Sequence, residues 1–151
     1  MTGIRLRSAR EADVPAVERL VASAFAAFVE RTGIRPVPLG TDWRTVVSAL
    51  GAVVALRDDH VVGVLVLWPH PDHVLIETLA VAPAEQGTGV GTALLDRAEL
   101  LSIETGSNTV RLYTNAAMTD ALDWYPRRGF VTTARRTEHG FDRVHLEKRL
   151  G

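Results

Sequence analysis

The chain has 151 residues, of which 46% are hydrophobic, and a formal net charge of −1. This length suits one domain over residues 1–151; the apolar fraction supports a core and excludes a disordered or collagen-like chain, and the small charge gives no bulk electrostatic reason to bind nucleic acid or an anionic membrane. The chain has no cysteine, which excludes disulfides, an all-thiolate zinc site and a cysteine nucleophile. The opening Met1-Thr2-Gly3 lacks a signal-peptide core, and no run approaches the roughly 18 apolar residues of a membrane span, so the expectation is a soluble, cytoplasmic protein.

Residues Ile4 to Arg7 alternate as a first strand. Asp13 stands as an N-cap with Pro15 in a first helical turn. Val14, Val17, Leu20, Val21, Ala24, Phe25 and Phe28 recur mostly at three- and four-residue steps, which predicts an amphipathic helix. Gly33, Pro36, Pro38 and Gly40 form a loop, and Trp43, Val46, Val47 and Leu50 a short second helix with Gly51 past its end. Strands over Ala52 to Leu56 and Val61 to Trp68 flank a turn at Asp58, Asp59 and His60. The second of these is nearly all apolar, so both of its faces are expected to be covered. Pro69, His70, Pro71 and Asp72 turn the chain into a strand from Val74 to Val81. A helix opening at Thr92 carries the stripe Leu94, Leu95, Ala98 and Leu101. A strand from Val110 to Thr114, a short helix from about Thr119 to Arg127 ending at Gly129, and an antiparallel pair over Phe130 to Arg135 and Arg143 to Leu150 complete the chain. In the last strand Val144, Leu146 and Leu150 share a face on which Lys148 is the odd member. The order β, α, α, β, β, β, α, β, α, β, β implies an α/β (α+β) fold with one mixed, mostly antiparallel sheet flanked by helices.

The most informative segment is Leu79-Ala80-Val81-Ala82-Pro83-Ala84-Glu85-Gln86-Gly87-Thr88-Gly89-Val90-Gly91. An apolar strand meets a proline, a loop with three glycines follows, and a helix begins. The first N–H groups of a helix lack internal partners and the helix dipole is positive there, so the point attracts phosphate; glycine lets the backbone approach without a Cβ in the way. A Walker loop is excluded because no Gly-Lys-Ser/Thr occurs, and the dinucleotide-binding pattern fits worse because the spacing is not Gly-x-Gly-x-x-Gly.

The run Gln-x-x-Gly-x-Gly preceded by Leu-x-Val-x-Pro resembles the pyrophosphate-binding signature of the GNAT superfamily of N-acetyltransferases, which bind acetyl-coenzyme A. The element order is also similar to that family's along the whole chain, and a second stretch, Asn115 followed by Ala121-Leu122-Asp123-Trp124-Tyr125-Pro126-Arg127-Arg128-Gly129-Phe130, resembles its Asn and Tyr-x-x-x-Gly-Phe helix. The resemblance implies the acyl-CoA N-acyltransferase fold, with two central strands splayed so that the pantetheine arm pairs with the backbone of Leu79, Ala80 and Val81. It implies that Gln86, Gly87, Thr88, Gly89, Val90, Gly91 and Thr92 hold the pyrophosphate, that Asn115 bonds the coenzyme, and that Tyr125 protonates the leaving thiolate. The last role is chemically sensible: a thiolate whose conjugate acid has pKa about 8.5 needs a donor, and a phenol of pKa about 10 supplies one. The alternative for Tyr125 is a ring packed on the core with its hydroxyl bonded elsewhere, and for Asn115 a strand-end cap.

Transfer to an amine also requires that amine neutral. Alternation places Glu77, Leu79 and Val81 on one face of their strand, and a carboxylate in an apolar strand is costly unless paired or facing a wet cleft. Glu77 is therefore the candidate base, the alternative being a salt bridge to a neighbouring arginine. His139, in the expected last turn, is a base or a loop residue. His70 and His73 have metal-like spacing but no third ligand, so no metal is expected. Phe25, Phe28, Glu30, Arg31 and Trp43 fall where the resemblance puts the acceptor wall and serve equally as core residues. The expected activity is direct acetyl transfer from acetyl-CoA to a primary amine of a small molecule or peptide, with a homodimer possible; the alternative is a non-catalytic acetyl-CoA-binding sensor or partner module of the same fold.

Overall fold

The computed structural model describes residues 3–49 and 51–151, so Leu50, proposed above for the second helix, and Met1 and Thr2 lie outside the described residues. In chain order the elements are β1 (Arg5–Ser8), α1 (Val14–Thr32), α2 (Trp43–Ala49), β2 (Val53–Arg57), β3 (His60–Pro69), β4 (Val74–Val81), α3 (Val90–Thr105), β5 (Thr109–Asn115), α4 (Thr119–Trp124), β6 (Val131–Glu138) and β7 (Phe141–Arg149). The order is the expected one. The strands form a seven-stranded sheet in the order β1-β2-β3-β4-β5-β7-β6. Its β4–β5 pairing is parallel and the registered pairings β1–β2, β2–β3, β5–β7 and β6–β7 are antiparallel. Among the described residues no helix is long and apolar enough to cross a membrane.

The chain divides into two compact units. The first runs up to Leu67 and includes Thr78–Arg97; the second holds Trp68–Glu77 and Ala98–Gly151. In the first, Val14, Val17, Leu20 and Val21 of α1 and Trp43 of α2 pack on Val54, Leu56, Val64, Val66 and Ala80 of the strands. This is the apolar stripe read from the helical spacing. The other side of β3 is also covered: a Cβ placed on Gly63 would lie 2.8 Å from Val90 Cγ1 and 2.9 Å from Leu94 Cδ1. Gly63 thus lets α3 approach the sheet, and β3, read as covered on both faces, is buried from Val62 through Val66.

In the second unit Val110, Leu112, Val144 and Leu146 are buried on one face of β5 and β7, where Leu112 pairs with Leu146 and Val110 with Lys148. Lys148 is tolerated there because its ammonium meets both oxygens of Glu99 at 3.2 Å. Ser102 interrupts the α3 stripe in sequence yet is fully buried. Its hydroxyl accepts the Thr109 N–H at 2.8 Å and lies 3.1 Å from the Thr109 carbonyl, which fastens the end of α3 to the start of β5. Burying that hydroxyl is tolerable because it is bonded.

Three local expectations are corrected. Asp13 does not cap α1; its carboxylate accepts the Arg10 N–H at 2.7 Å and two guanidinium nitrogens of Arg7 at 2.7 and 3.0 Å, bracing a 3-10 turn at Glu11–Asp13 instead. Helix α3 begins at Val90, two residues before Thr92, since Gly89 supplies the carbonyl that accepts the Ala93 N–H. The last helix stops at Trp124, and Pro126 opens a 3-10 turn to Arg128, because proline has no N–H to continue the α ladder.

Candidate active site

The glycine segment is built in the first unit. Val81 ends β4, the Ala82 N–H bonds to the Val62 carbonyl at 2.9 Å, and Pro83–Glu85 form a 3-10 turn. Gly87 and Gly89 then take φ of 83° and 98°, a left-handed conformation that a Cβ would strain. Between them Thr88 places its hydroxyl 2.6 Å from the Glu85 carbonyl and 3.0 Å from the Glu85 carboxylate. Arg57 Nε donates to that same carboxylate at 2.9 Å, so the one acidic side chain of the loop is neutralised and does not oppose an incoming anion. Val90 is fully buried and anchors the helix start, while Gln86 through Gly89 stay exposed. The first α bond of the helix comes from Ala93, so the N–H groups of Val90, Gly91 and Thr92 have no acceptor within α3. Gln86, Gly87, Thr88, Gly89, Val90, Gly91 and Thr92 thus follow one another around the helix start; the N–H groups of Gln86 and Thr88 are used within the turn, on the Pro83 and Glu85 carbonyls at 3.3 and 3.2 Å, which leaves the first-turn groups of α3 as the donors without an internal acceptor. Leu79 and Val81 lie half-buried on one face of β4, and Ala80 is in the core on the other.

In the second unit the β4–β5 ladder registers only Val74 with Val110 and Leu75 with Arg111. Glu77 follows on β4 and is exposed. It makes no ion pair among the described residues, so the salt-bridge alternative is not realised. Across from it on β5, the Tyr113 phenol is pushed up by burial first and by the Glu77 charge second, against Arg143. Asn115 does act as a strand-end cap: its Oδ1 accepts the Ala117 N–H at 2.9 Å and its carbonyl the Met118 N–H at 2.9 Å. Its amide nitrogen is not used in that cap.

Tyr125 follows α4 directly, its ring buried against Trp124 and Phe130 at centroid distances of 4.9 and 5.3 Å in edge-to-face geometry. Gly129, at φ 94°, turns the chain so that Phe130 can make that contact. Burial pushes the Tyr125 phenol well above its ordinary value. Its hydroxyl makes no hydrogen bond among the described residues. The packed ring of the alternative reading is present, without the hydrogen bond of its hydroxyl among the described residues.

The remaining candidates are ordinary. His139 is exposed in the two-residue β6–β7 turn, at φ 52°. His70 and His73 stack at 4.4 Å, and His73 Nδ1 lies 2.7 Å from Asp72. Among the described residues no three His, Cys, Asp or Glu side chains converge as a metal site. Phe28 is buried and Arg31 lies over its ring at 5.6 Å. Glu30 and Trp43 line an open groove of about 450 Å³ along α1, together with Glu18, Arg35 and Leu39. Residue spacing does not reveal the ion pair of Arg57 with Glu85, which needs the turn before α3 to come beside β2, nor the cluster of Tyr113, Arg143, His145 and Glu138, which needs the β5–β7 and β6–β7 registers.

The chain matches the Acetyltransferase (GNAT) family over residues 17–130. Solved structures share the fold at low identity. An N-acetyltransferase, PaiA, of Thermoplasma acidophilum in complex with coenzyme A has a TM-score of 0.81 and 16% identity, with 97% of this chain and 99% of that one covered. Naa50 of Arabidopsis thaliana in complex with the bisubstrate analogue CoA-Ac-MVNAL has a TM-score of 0.75 and 19% identity, covering 97% and 99%. The ribosomal-protein-S18-alanine N-acetyltransferase of Escherichia coli has a TM-score of 0.73 and 18% identity, covering 99% and 95%. No curated protein matches the chain. With the family's model matched over most of its length, the chain belongs to the GNAT family of acetyltransferases.

Proposed function

We propose that the chain, as a single acetyltransferase domain, transfers the acetyl group of acetyl-CoA to a primary amine by direct attack in a ternary complex. The observation that carries this reading is the left-handed pair Gly87 and Gly89 opening onto the unpaired first-turn N–H groups of α3, beside a neutralised Glu85. Gln86 through Thr92 hold the pyrophosphate. Leu79, Ala80 and Val81 pair their backbone with the pantetheine arm, and the Asn115 amide nitrogen bonds the coenzyme. The Val81 N–H faces the oxyanion of the tetrahedral intermediate. Glu77 takes the amine's proton, directly or through water. Tyr125 returns a proton to the sulfur: its burial keeps the phenol protonated, and a thiolate expelled into apolar surroundings is itself made more basic by desolvation. With no cysteine in the chain, the acyl group cannot pass through a cysteine on it.

The solved structures that carry a peptide-like bisubstrate analogue, or that act on a ribosomal-protein alanine, favour a peptide amine as acceptor, beside which a small-molecule amine stays in the proposal. The test is calorimetry with coenzyme A, followed by thiol release from acetyl-CoA with pooled amines. Micromolar coenzyme binding and amine-dependent thiol release are expected. No heat at saturating coenzyme would overturn the reading.

A further inference from the structure

Most arginines of the second unit are matched by carboxylates. Arg111 and Arg149 pair with Glu147, Arg127 with Asp123 and Arg135 with Asp142. Arg136 of β6 and Arg143 of β7 form no ion pair and no hydrogen bond among the described residues, although they are registered directly opposite each other. Like charges facing each other across a strand pair are destabilising. Glu138, the carboxylate on which both of these charges act, bonds through Oε1 to His145 Nε2 at 2.6 Å instead.

Aromatic rings hold Arg143 in place. Its guanidinium lies 4.5 Å over the Tyr113 ring and 5.4 Å over that of Phe141. Such stacking engages the face of the guanidinium and leaves its N–H donors, which point outward in the plane, for an acceptor. A planar fork with free donors matches a carboxylate in bidentate fashion. The side chain is half-buried, so a pair formed there is screened less than one on open surface.

The same unit holds Glu77, Tyr113 and Asn115. Arg143 is registered against Asn115 of β5, and the next pair on that face is Tyr113 with His145. The Glu77 charge reaches the Tyr113 phenol from β4, on the other side of β5. Two strand spacings, about 10 Å, separate β4 from β7. Arg143 spans part of that distance by lying over Tyr113. What remains suits one molecule with its amine at Glu77 and a carboxylate a few bonds away at Arg143.

We propose that Arg143, with Arg136 beside it, binds the carboxylate of an acceptor whose amine meets Glu77, so that the acceptor is an aminocarboxylate. The proposal rests on the acetyltransferase reading above. It narrows the acceptor to an amine that also carries an acid group, supplied by a free amino acid or by a peptide that begins with an acidic residue. Arg143 sets specificity and takes no part in proton transfer.

Thiol release by the full chain tests this in two comparisons. Free amino acids are set against their α-carboxamides, and peptides that begin with an acidic residue against those that begin with its amide counterpart. In at least one comparison the acid should have a kcat/KM about 10²-fold higher, chiefly through KM, because the amide loses a charge-assisted bidentate pair. A preference in the first comparison assigns a free amino acid as the source, and one in the second a peptide. Arg143→Gln should shrink the preference to within about threefold, and Arg143→Lys, which keeps the charge without the fork, to about tenfold. The wild-type comparison stands whether or not the variants fold. Equal or reversed kcat/KM values in both comparisons overturn the proposal, and so does a preference that Arg143→Gln leaves intact. A wild-type chain that binds no coenzyme, or releases no thiol with any amine, removes the acetyltransferase reading and this proposal with it.

Discussion

Arg57 and Glu85 join the end of β2 to the turn before α3: the guanidinium Nε meets the carboxylate at 2.9 Å, with side chains 22% and 20% exposed. The same carboxylate oxygen lies 3.0 Å from the Thr88 hydroxyl, so one ion pair braces the residues around both left-handed glycines. Replacing Arg57 leaves a partly buried carboxylate unpaired beside the donors that should receive a diphosphate. Arg57→Ala is expected to raise the coenzyme Kd about tenfold and to cost about 1–2 kcal/mol of stability. Calorimetry and thermal melts check both. An unchanged Kd would mean that the loop holds its shape without this brace.

Two glycines are predicted to fail differently. At Gly89 the nearest atom to an added Cβ is Ile4 Cδ1 at 4.0 Å, so there is space, but φ is 98°. Gly89→Val therefore strains the backbone and turns the loop donors, and coenzyme binding should be lost with a stability cost of about 1–3 kcal/mol. At Gly63 the φ is ordinary and the space is absent, with Val90 Cγ1 only 2.8 Å from the added carbon. Gly63→Ala should cost a comparable 1–3 kcal/mol by overpacking. It should weaken coenzyme binding less, because it displaces buried side chains of α3 rather than the loop itself. Equal Kd losses in the two variants would contradict this separation.

The contrast between these glycines also marks how far the sequence is legible. Gly87 and Gly89 announce themselves by spacing, since few folds need three glycines at a helix start. Gly63 looks like a pause in an apolar strand, and its role exists only because α3, 27 residues beyond at Val90, packs over it. The element order and the strand that feeds the loop were readable because period-two and helical spacing are local. Asp13 misled because its sequence context suits an N-cap equally well, and only Arg7, brought in by β1, decides where its carboxylate goes. Lys148 read as an odd member of an apolar face until Glu99 supplied its partner from α3. The His145–Glu138 pair needs the β6–β7 register, which includes an irregularity between Thr132 and Ala134 that alternation alone does not anticipate.

Acid stability should report on the Arg7–Asp13 pair. The Arg7 hydrogen bond, aided by the Arg10 N–H and opposed by burial, holds the Asp13 carboxyl below its ordinary 3.8. A lowered carboxyl stabilises the fold fully above that ordinary value and loses its contribution as pH falls through the folded-state value. Asp13→Asn is therefore expected to destabilise by about 2 kcal/mol at pH 7, the gap closing as pH falls below the ordinary carboxylate range. Denaturant melts across that range measure it, and a gap independent of pH would assign the loss to packing rather than to the charge.

Tyr125 gives the sharpest test of the chemistry. If its hydroxyl protonates the departing thiolate, Tyr125→Phe should lower kcat about 10²-fold or more and leave coenzyme affinity near normal, since the ring contacts with Trp124 and Phe130 survive. Burial holds the phenol above its ordinary pKa of 10.0, so it stays protonated through neutral pH and should impose no basic limb below about pH 10. The same shift fixes a stability signature with the opposite sign to that of Asp13. A raised phenol contributes fully below pH 10 and loses its contribution as pH climbs toward the folded-state value, because the unfolded chain ionises first. Tyr125→Phe should flatten that alkaline decline in part, the remainder belonging to Tyr113, which is raised as well. A variant with full kcat and an unchanged alkaline melt would leave Tyr125 as a packing residue and require another donor for the sulfur.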